Sequence, residues 1–206
     1  MDMSRWYLRL GTWAYNLFLL NLLWFFCTCA GFVVLGFFPA TAALFSVLRR
    51  SIIEDNDIPV LKLFVRNFKT EFLKSNFLGY LYVLFGLLLY MYFQVVQLIP
   101  NNQFQSILVN ITVVMTVVYF ITFLYVFPLF VHFDQKSFQY LRNALILAVG
   151  RPIRTIIMLL GLGVLSYICM HIPVLIPVIG ISLSGYVIMW TALKSLPKEM
   201  KTTDFD

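Results

Sequence analysis

The chain has 206 residues, 61% of them hydrophobic and 12% charged, with a net charge of +6 and a mean hydropathy of +0.88. Soluble domains run at roughly 45–50% apolar and 25% charged, so a water-soluble fold of this size could not hide that much apolar surface. The basic excess flanks long charge-free runs, which ties it to membrane orientation rather than to nucleic acid.

Those runs extend from Leu10 to Leu48, Ser75 to Phe133 and Thr155 to Leu193, and are 39, 59 and 39 residues long. A helix needs roughly 20 apolar residues to cross a hydrocarbon core about 30 Å thick, so each run has room for two passes. Each also breaks near its middle, at Cys27-Thr28-Cys29-Ala30-Gly31 and Pro39, at Pro100-Asn101-Asn102-Gln103, and at His171-Ile172-Pro173. The predicted fold is an all-α integral membrane protein, one polytopic domain over residues 1–206. It has about six transmembrane or re-entrant helices paired as three hairpins, plus a cytoplasmic interfacial amphipathic helix.

The apolar run after Arg5 and Arg9 is far longer than the roughly 7–15 residues of a signal-peptide core, so it reads as a retained helix, about Leu10 to Ala30. Trp6, Tyr7, Trp13 and Tyr15 lie near its start, where aromatic rings favour the headgroup layer. Asn16 and Asn21 lie inside it. An amide in hydrocarbon needs a partner, and interhelical bonds worth roughly 0.6–2 kcal/mol each outweigh a ligand site as its explanation. Cys27 and Cys29 project from nearly opposite sides of a helix, and with Cys169 they read as packing residues rather than a disulfide or metal site.

Pro39 belongs in the first turn of the next helix, which leaves Pro39 to Leu48 before Arg49, about 15 Å of rise. A re-entrant half-span fits, with irregular backbone from Gly31 to Phe38 covered by protein. The alternative is a five-span fold in which the first run crosses once and the amino terminus lies outside. Pro39-Ala40-Thr41-Ala42-Ala43 is the smallest-residue stretch, and Ala42 and Ser46 stand one turn apart, a face that lets helices approach closely.

Arg49 and Arg50 open a cytoplasmic amphipathic segment, residues 49–75. Between Asp57 and Ser75, Leu61, Phe64, Val65, Phe68 and Phe72 repeat at helical spacing, as in a helix lying along the leaflet. Asp57 is placed to cap it. Such a helix can float on anionic lipid or dock a protein.

The second run predicts helices of about Ser75 to Ile99 and Gln105 to Phe130, with Gly79 and Gly86 on one face. Asn110-Ile111-Thr112 is a chance glycosylation sequon inside a helix. His132 beside Asp134 suits capping or packing better than proton transfer or metal binding. A second cytoplasmic segment, Ser137 to Val149, holds Arg142 and Asn143. The third run forms a tight pair, about Arg154 to Met170 and Pro173 to Leu193. Pro177, Gly180, Ser182, Ser184 and Gly185 make its last helix bendable and close-packing. No repeat of 20 to 50 residues is visible.

With three hairpins, the four charged segments share one compartment and hold all 15 Lys and Arg residues, two, six, four and three in chain order. The positive-inside rule makes that compartment the cytoplasm, with both termini in it. No ionisable residue lies in a helix interior, which argues against a gradient-driven transporter or ion pump. A sugar carrier working through Asn, Gln, Tyr and Trp alone needs no such residue. There is no phosphate loop, zinc motif, Cys-x-x-Cys pair or nucleophile elbow, so neither an enzyme nor a cofactor is expected.

Asn21-Leu22-Leu23-Trp24, Gly36, Pro39-Ala40-Thr41-Ala42-Ala43-Leu44 leading to Arg49, and Phe64, Phe68 and Phe72 resemble the start of the YesL-like bacterial membrane proteins, a domain of unknown function (number 624). Pro128-Leu129, Phe133-Asp134 and Arg142-Asn143-Ala144 fit the same pattern, so the resemblance covers nearly the whole chain. It carries no catalytic residues. It implies association with carbohydrate ABC importers and glycan-degrading enzymes, beside which such proteins are encoded. The Glu-Ala-Ala signature by which importer permeases dock their ATPase is missing. The expected role is a non-enzymatic accessory of a carbohydrate importer, with the bilayer and permease subunits as partners and no nucleic acid; the alternative is a stand-alone carrier or flippase. Candidate helix-packing or partner contacts are Asn16, Asn21, Trp24, Pro39, Thr41, Ala42, Arg49, Arg50, Phe64, Phe68, Asp134, Arg142 and Asn143.

Overall fold

A computed structural model describes residues 3–54, 58–100, 103–133 and 137–196. Its elements are α1 (Met3–Ala30), α2 (Phe37–Glu54), α3 (Val60–Thr70), α4 (Phe72–Gln97), α5 (Gln103–His132), α6 (Ser137–Gly150), α7 (Pro152–His171) and α8 (Ile181–Ser195), the last entered through a π-helical turn, Ile176–Gly180. The described residues include no strand. In hydrocarbon a helix satisfies its own peptide groups, which is why charge-free runs of this length take that form.

Five of these segments are long and apolar enough to cross a membrane: Leu10–Ala30, Phe72–Gln97, Gln103–His132, Pro152–His171 and Ile176–Ser195. α2 is not among them: its apolar run ends at Leu48, about 18 Å from Phe37, the length of a half-span. The predicted hairpins are present as α1 with α2, α4 with α5, and α7 with α8. Within the first run α2 folds back on α1, and the Trp24 ring meets Phe37, with centroids 5.6 Å apart.

α2 is the axis of the molecule, with nine of its 18 residues buried. Ala40, Ala42 and Ala43 let neighbouring helices reach its backbone. On its other face the Phe127 ring of α5 lies stacked near both Phe38 and Phe45, at 6.2 and 6.4 Å. Gly79 of α4 faces the Phe38 ring so closely that an added Cβ would lie 2.3 Å from it. The outer pair α4 and α5 instead exposes Leu84, Leu87, Leu88, Met91 and Phe120, a surface made for lipid. Its two helices are latched by Tyr82, which donates to the Tyr119 carbonyl, and Tyr119, which donates to the Tyr82 carbonyl at 3.1 Å.

The irregular backbone between α1 and α2 is shorter than predicted, residues 31–36, and it is covered differently. Its side chains Phe32, Val33, Val34 and Leu35 point outward, while its peptide groups are satisfied one by one. The Asn76 amide donates to the Leu35 carbonyl at 3.0 Å and the Tyr80 hydroxyl to the Val34 carbonyl at 2.7 Å. Phe32 and Val33 take positive φ, 53° and 65°, to make the reversal. Because α4 runs on from Tyr80 to Gln97, about 26 Å of rise, the α1–α2 turn is much the shallower one.

A further expectation is corrected. The amphipathic helix is α3, residues 60–70, and α4 begins at Phe72 after a bend at Glu71. Its cap position belongs to Pro59, and Asp57 lies outside the described residues. Its inward stripe is Val60, Phe64 and Phe68 rather than Leu61 and Val65, which are exposed. One local pattern occurs twice. α2 and α5 each carry Phe-Pro, at 38–39 and 127–128, and each reverses into a short helix bearing an aromatic residue, then Arg-Asn. Phe64 with Arg66-Asn67 in α3 is matched by Tyr140 with Arg142-Asn143 in α6. Both aromatic residues are buried.

Candidate functional site

Asn21 organises the interior. Its side-chain NH2 donates to the carbonyls of Ile176 at 3.4 Å and Pro177 at 2.5 Å, and its oxygen accepts from the backbone N–H of Ile181 at 3.2 Å and Ser182 at 3.3 Å. A π-helical turn beside Pro177 leaves peptide groups out of register, and in hydrocarbon they need such a partner. Asn16, five residues earlier, is half-buried and makes no hydrogen bond to a described residue.

Above this junction a cavity of about 510 Å³ opens between α1, α2, α5, α7 and α8. Its walls are mostly apolar, with Phe37, Phe45, Phe123, Phe127, Leu165 and Met170 prominent. The polar groups facing it are uncharged: Trp24, Thr41, Ser166, Ser184 and Cys169. The Trp24 indole donates to the Thr41 hydroxyl at 3.1 Å, and that hydroxyl donates to the Phe37 carbonyl at 2.7 Å. A chamber of this size and composition suits an uncharged molecule with a large apolar part. Gly185 keeps the α8 wall thin, since a Cβ there would lie 2.7 Å from Leu44.

The charged ends of the helices converge around the last turns of α5. Arg49 points inward and donates to the Val131 carbonyl at 3.3 Å, a cation at a helix carboxyl end. Arg50, one residue on and so about 100° around the helix, points out and grips both oxygens of Glu54 at 2.8 Å. The Asn67 amide of α3 donates to Ser46 of α2 at 2.5 Å and separates two polar cavities. One, about 330 Å³, is lined by Glu71, Lys74, His132 and Tyr140 among others. The other, about 350 Å³, is lined by Arg49, Arg50, Glu54 and Arg66 among others. His132 is buried with its ring edge-on to Phe133. On the far side, Thr155 of α7 bonds the Tyr125 hydroxyl at 3.0 Å, and Leu196 after α8 packs with Pro128 and Leu147.

The predicted residues thus divide into groups. Trp24 and Thr41 meet at the apolar cavity, with Asn21 beneath. Pro39 and Ala42 are buried in the α2 axis, and Phe64 and Phe68 form the inner face of α3. Arg49 and Arg50 flank one polar cavity. Arg142 is exposed and Asn143 half-buried on α6, apart from both. Asp134 lies outside the described residues. Arg66, Ser166, Ser184 and Cys169 were missed as lining residues; only the small size of Ser184 and Gly185 hinted at the cavity. The three cysteines are unpaired, and no described group of three His, Cys, Asp or Glu residues could hold a metal ion.

The family model described as "Protein of unknown function, DUF624" matches residues 17–93, from within α1 to near the end of α4. The chain is similar to three proteins of Bacillus subtilis (strain 168), each named as uncharacterized. YesV is 35% identical over 182 residues, 87% of this chain and 86% of its own. YteU is 35% identical over 179 residues, 87% and 80%, and YesL is 37% identical over 166 residues, 80% and 78%. No solved structure matches the chain.

Proposed function

The chain belongs to the DUF624 family, and from that premise we propose that it is a non-enzymatic membrane accessory protein of a carbohydrate, oligosaccharide-type, ABC importer. The observation that supports this reading is the outward face of α3. Leu61, Lys62, Val65, Arg66 and Lys69 project from it together, apolar and basic at once, on a helix held by only one buried stripe. Its orientation is cytoplasmic, by the positive-inside rule, so it faces the side on which an importer's ATPase works. The sugar-uptake setting comes from the family resemblance. A deletion strain is expected to grow poorly on plant-wall oligosaccharides, and the tagged protein to co-purify with a carbohydrate permease subunit. Normal growth together with absence of the permease would overturn the reading.

The second reading, a stand-alone carrier or flippase for a neutral solute or lipid, is favoured by the 510 Å³ cavity and its uncharged polar groups. Purified protein in vesicles moving a neutral sugar or a lipid without any partner would replace the first reading with this one.

A further inference from the structure

We propose that the cleft between α2 and α3 is a binding site for a phosphate group, presented by an anionic lipid headgroup or by a free phosphorylated solute. Among the described residues, three arginines, Arg49, Arg50 and Arg66, and one carboxylate, Glu54, line this cavity of about 350 Å³. Forked guanidinium groups match phosphate oxygens.

The donors are arranged for this. Glu54 engages only the Nε of Arg50, which leaves the terminal nitrogens of that guanidinium directed elsewhere. Arg66 stands opposite on α3, exposed, with no described carboxylate paired to it. Ser46 closes the floor, and because it accepts from Asn67, its own hydroxyl proton is available to an oxygen in the cleft. Arg49 is anchored to the Val131 carbonyl and lends its charge from behind. Ile53 and Leu63 give the rim an apolar edge, which suits a phosphate carried at the end of an acyl-bearing molecule. The cleft lies where the unbroken apolar run of α2 ends at Leu48 and gives way to Arg49 and Arg50, a pattern that suits the depth of headgroups.

This site does not depend on the importer reading. It also differs from diffuse attraction between a basic surface and an anionic leaflet, which counts charges and ignores their arrangement. The experiment is native mass spectrometry of the detergent-purified full chain, titrated with phosphatidylglycerol, with the variants R66Q, R66K and R142Q alongside. Arg142 is an equally exposed arginine on α6, so R142Q removes the same charge away from the cleft.

One phosphatidylglycerol should be retained by the wild type and by R142Q. R66Q should bind it at least fivefold more weakly, with R66K recovering only part of the loss. Inorganic phosphate at millimolar concentration displacing the lipid identifies a site that also accepts free phosphate; failure to displace it identifies the lipid as the source. Equal loss in R66Q and R142Q, or retention by R66Q at the wild-type level, would overturn the site. The melting temperature of each variant, expected within about 2 °C of wild type for an exposed side chain, separates loss of binding from loss of fold.

Discussion

Replacing Asn21 by Leu removes four hydrogen bonds at once while keeping the side chain's bulk. Hydrogen bonds between membrane helices average about 0.6 kcal/mol each, so four should cost about 2.4 kcal/mol. At roughly 2–4 °C per kcal/mol for a chain of this size, the melting temperature should fall by about 5–10 °C. Trp13 and Trp24 lie on either side of Asn21 in α1, so intrinsic fluorescence during a thermal ramp in mild detergent reads the change directly. Asn21→Asp should be no better than Leu, because a carboxylate would face the Pro177 carbonyl now held at 2.5 Å. The control is Asn16→Leu on the same helix, expected within about 2 °C of wild type because Asn16 bonds no described residue. Equal shifts for Asn16 and Asn21, or no shift for Asn21, would refute the account of the π-helical turn.

Three other outcomes are expected. Gly79→Ala should destabilise by about 1–3 kcal/mol through its collision with Phe38, whereas Gly163→Ala, with nothing within 4 Å of the new Cβ, should be neutral or stabilising by up to about 1 kcal/mol; thermal unfolding compares them. Arg49→Met should cost about 1.5–3 kcal/mol by loss of a charged hydrogen bond to Val131, while Arg50→Met, losing an exposed pair one turn apart, should cost about 0.3–0.5 kcal/mol. With Cys27, Cys29 and Cys169 replaced, a Cys at Gln103 should react with an impermeant thiol reagent on intact cells and one at Lys62 only after permeabilisation. The reverse pattern would invert the proposed topology.

The helices and their pairing were legible because lipid leaves the backbone few choices and because charge marks each helix end. What stayed hidden depends on distant partners. Asn16 and Asn21 are the same residue on the same helix, and only the peptide groups about 155 residues away decide which one is used. Arg49 and Arg50 differ by one position, so an arginine pair in the sequence becomes one structural residue and one surface residue. In α3 the helical spacing places Phe64 and Phe68 on the inner stripe correctly, but it adds Leu61 and Val65 and leaves out Val60, because Leu61 and Val65 repeat as regularly as Val60 and Phe64. Residues of the apolar cavity come from five helices, and no spacing along the chain links Ser166 to Trp24.

The shallow turn between α1 and α2 bears on how the protein is made. Its carbonyls at Val34 and Leu35 are satisfied by Tyr80 and Asn76, which follow 46 and 41 residues later in the chain. At roughly 5–20 residues per second, a ribosome delivers those partners about 2–9 seconds after the turn itself. During that interval two carbonyls beside an oily tip lack their hydrogen-bond donors, and hydrocarbon offers no substitute. The first hairpin therefore has to wait at the edge of the bilayer, or in the grip of an insertase, until the start of α4 arrives. A nascent chain halted after α3 should remain crosslinkable to that machinery, and one halted beyond Tyr80 should be released from it.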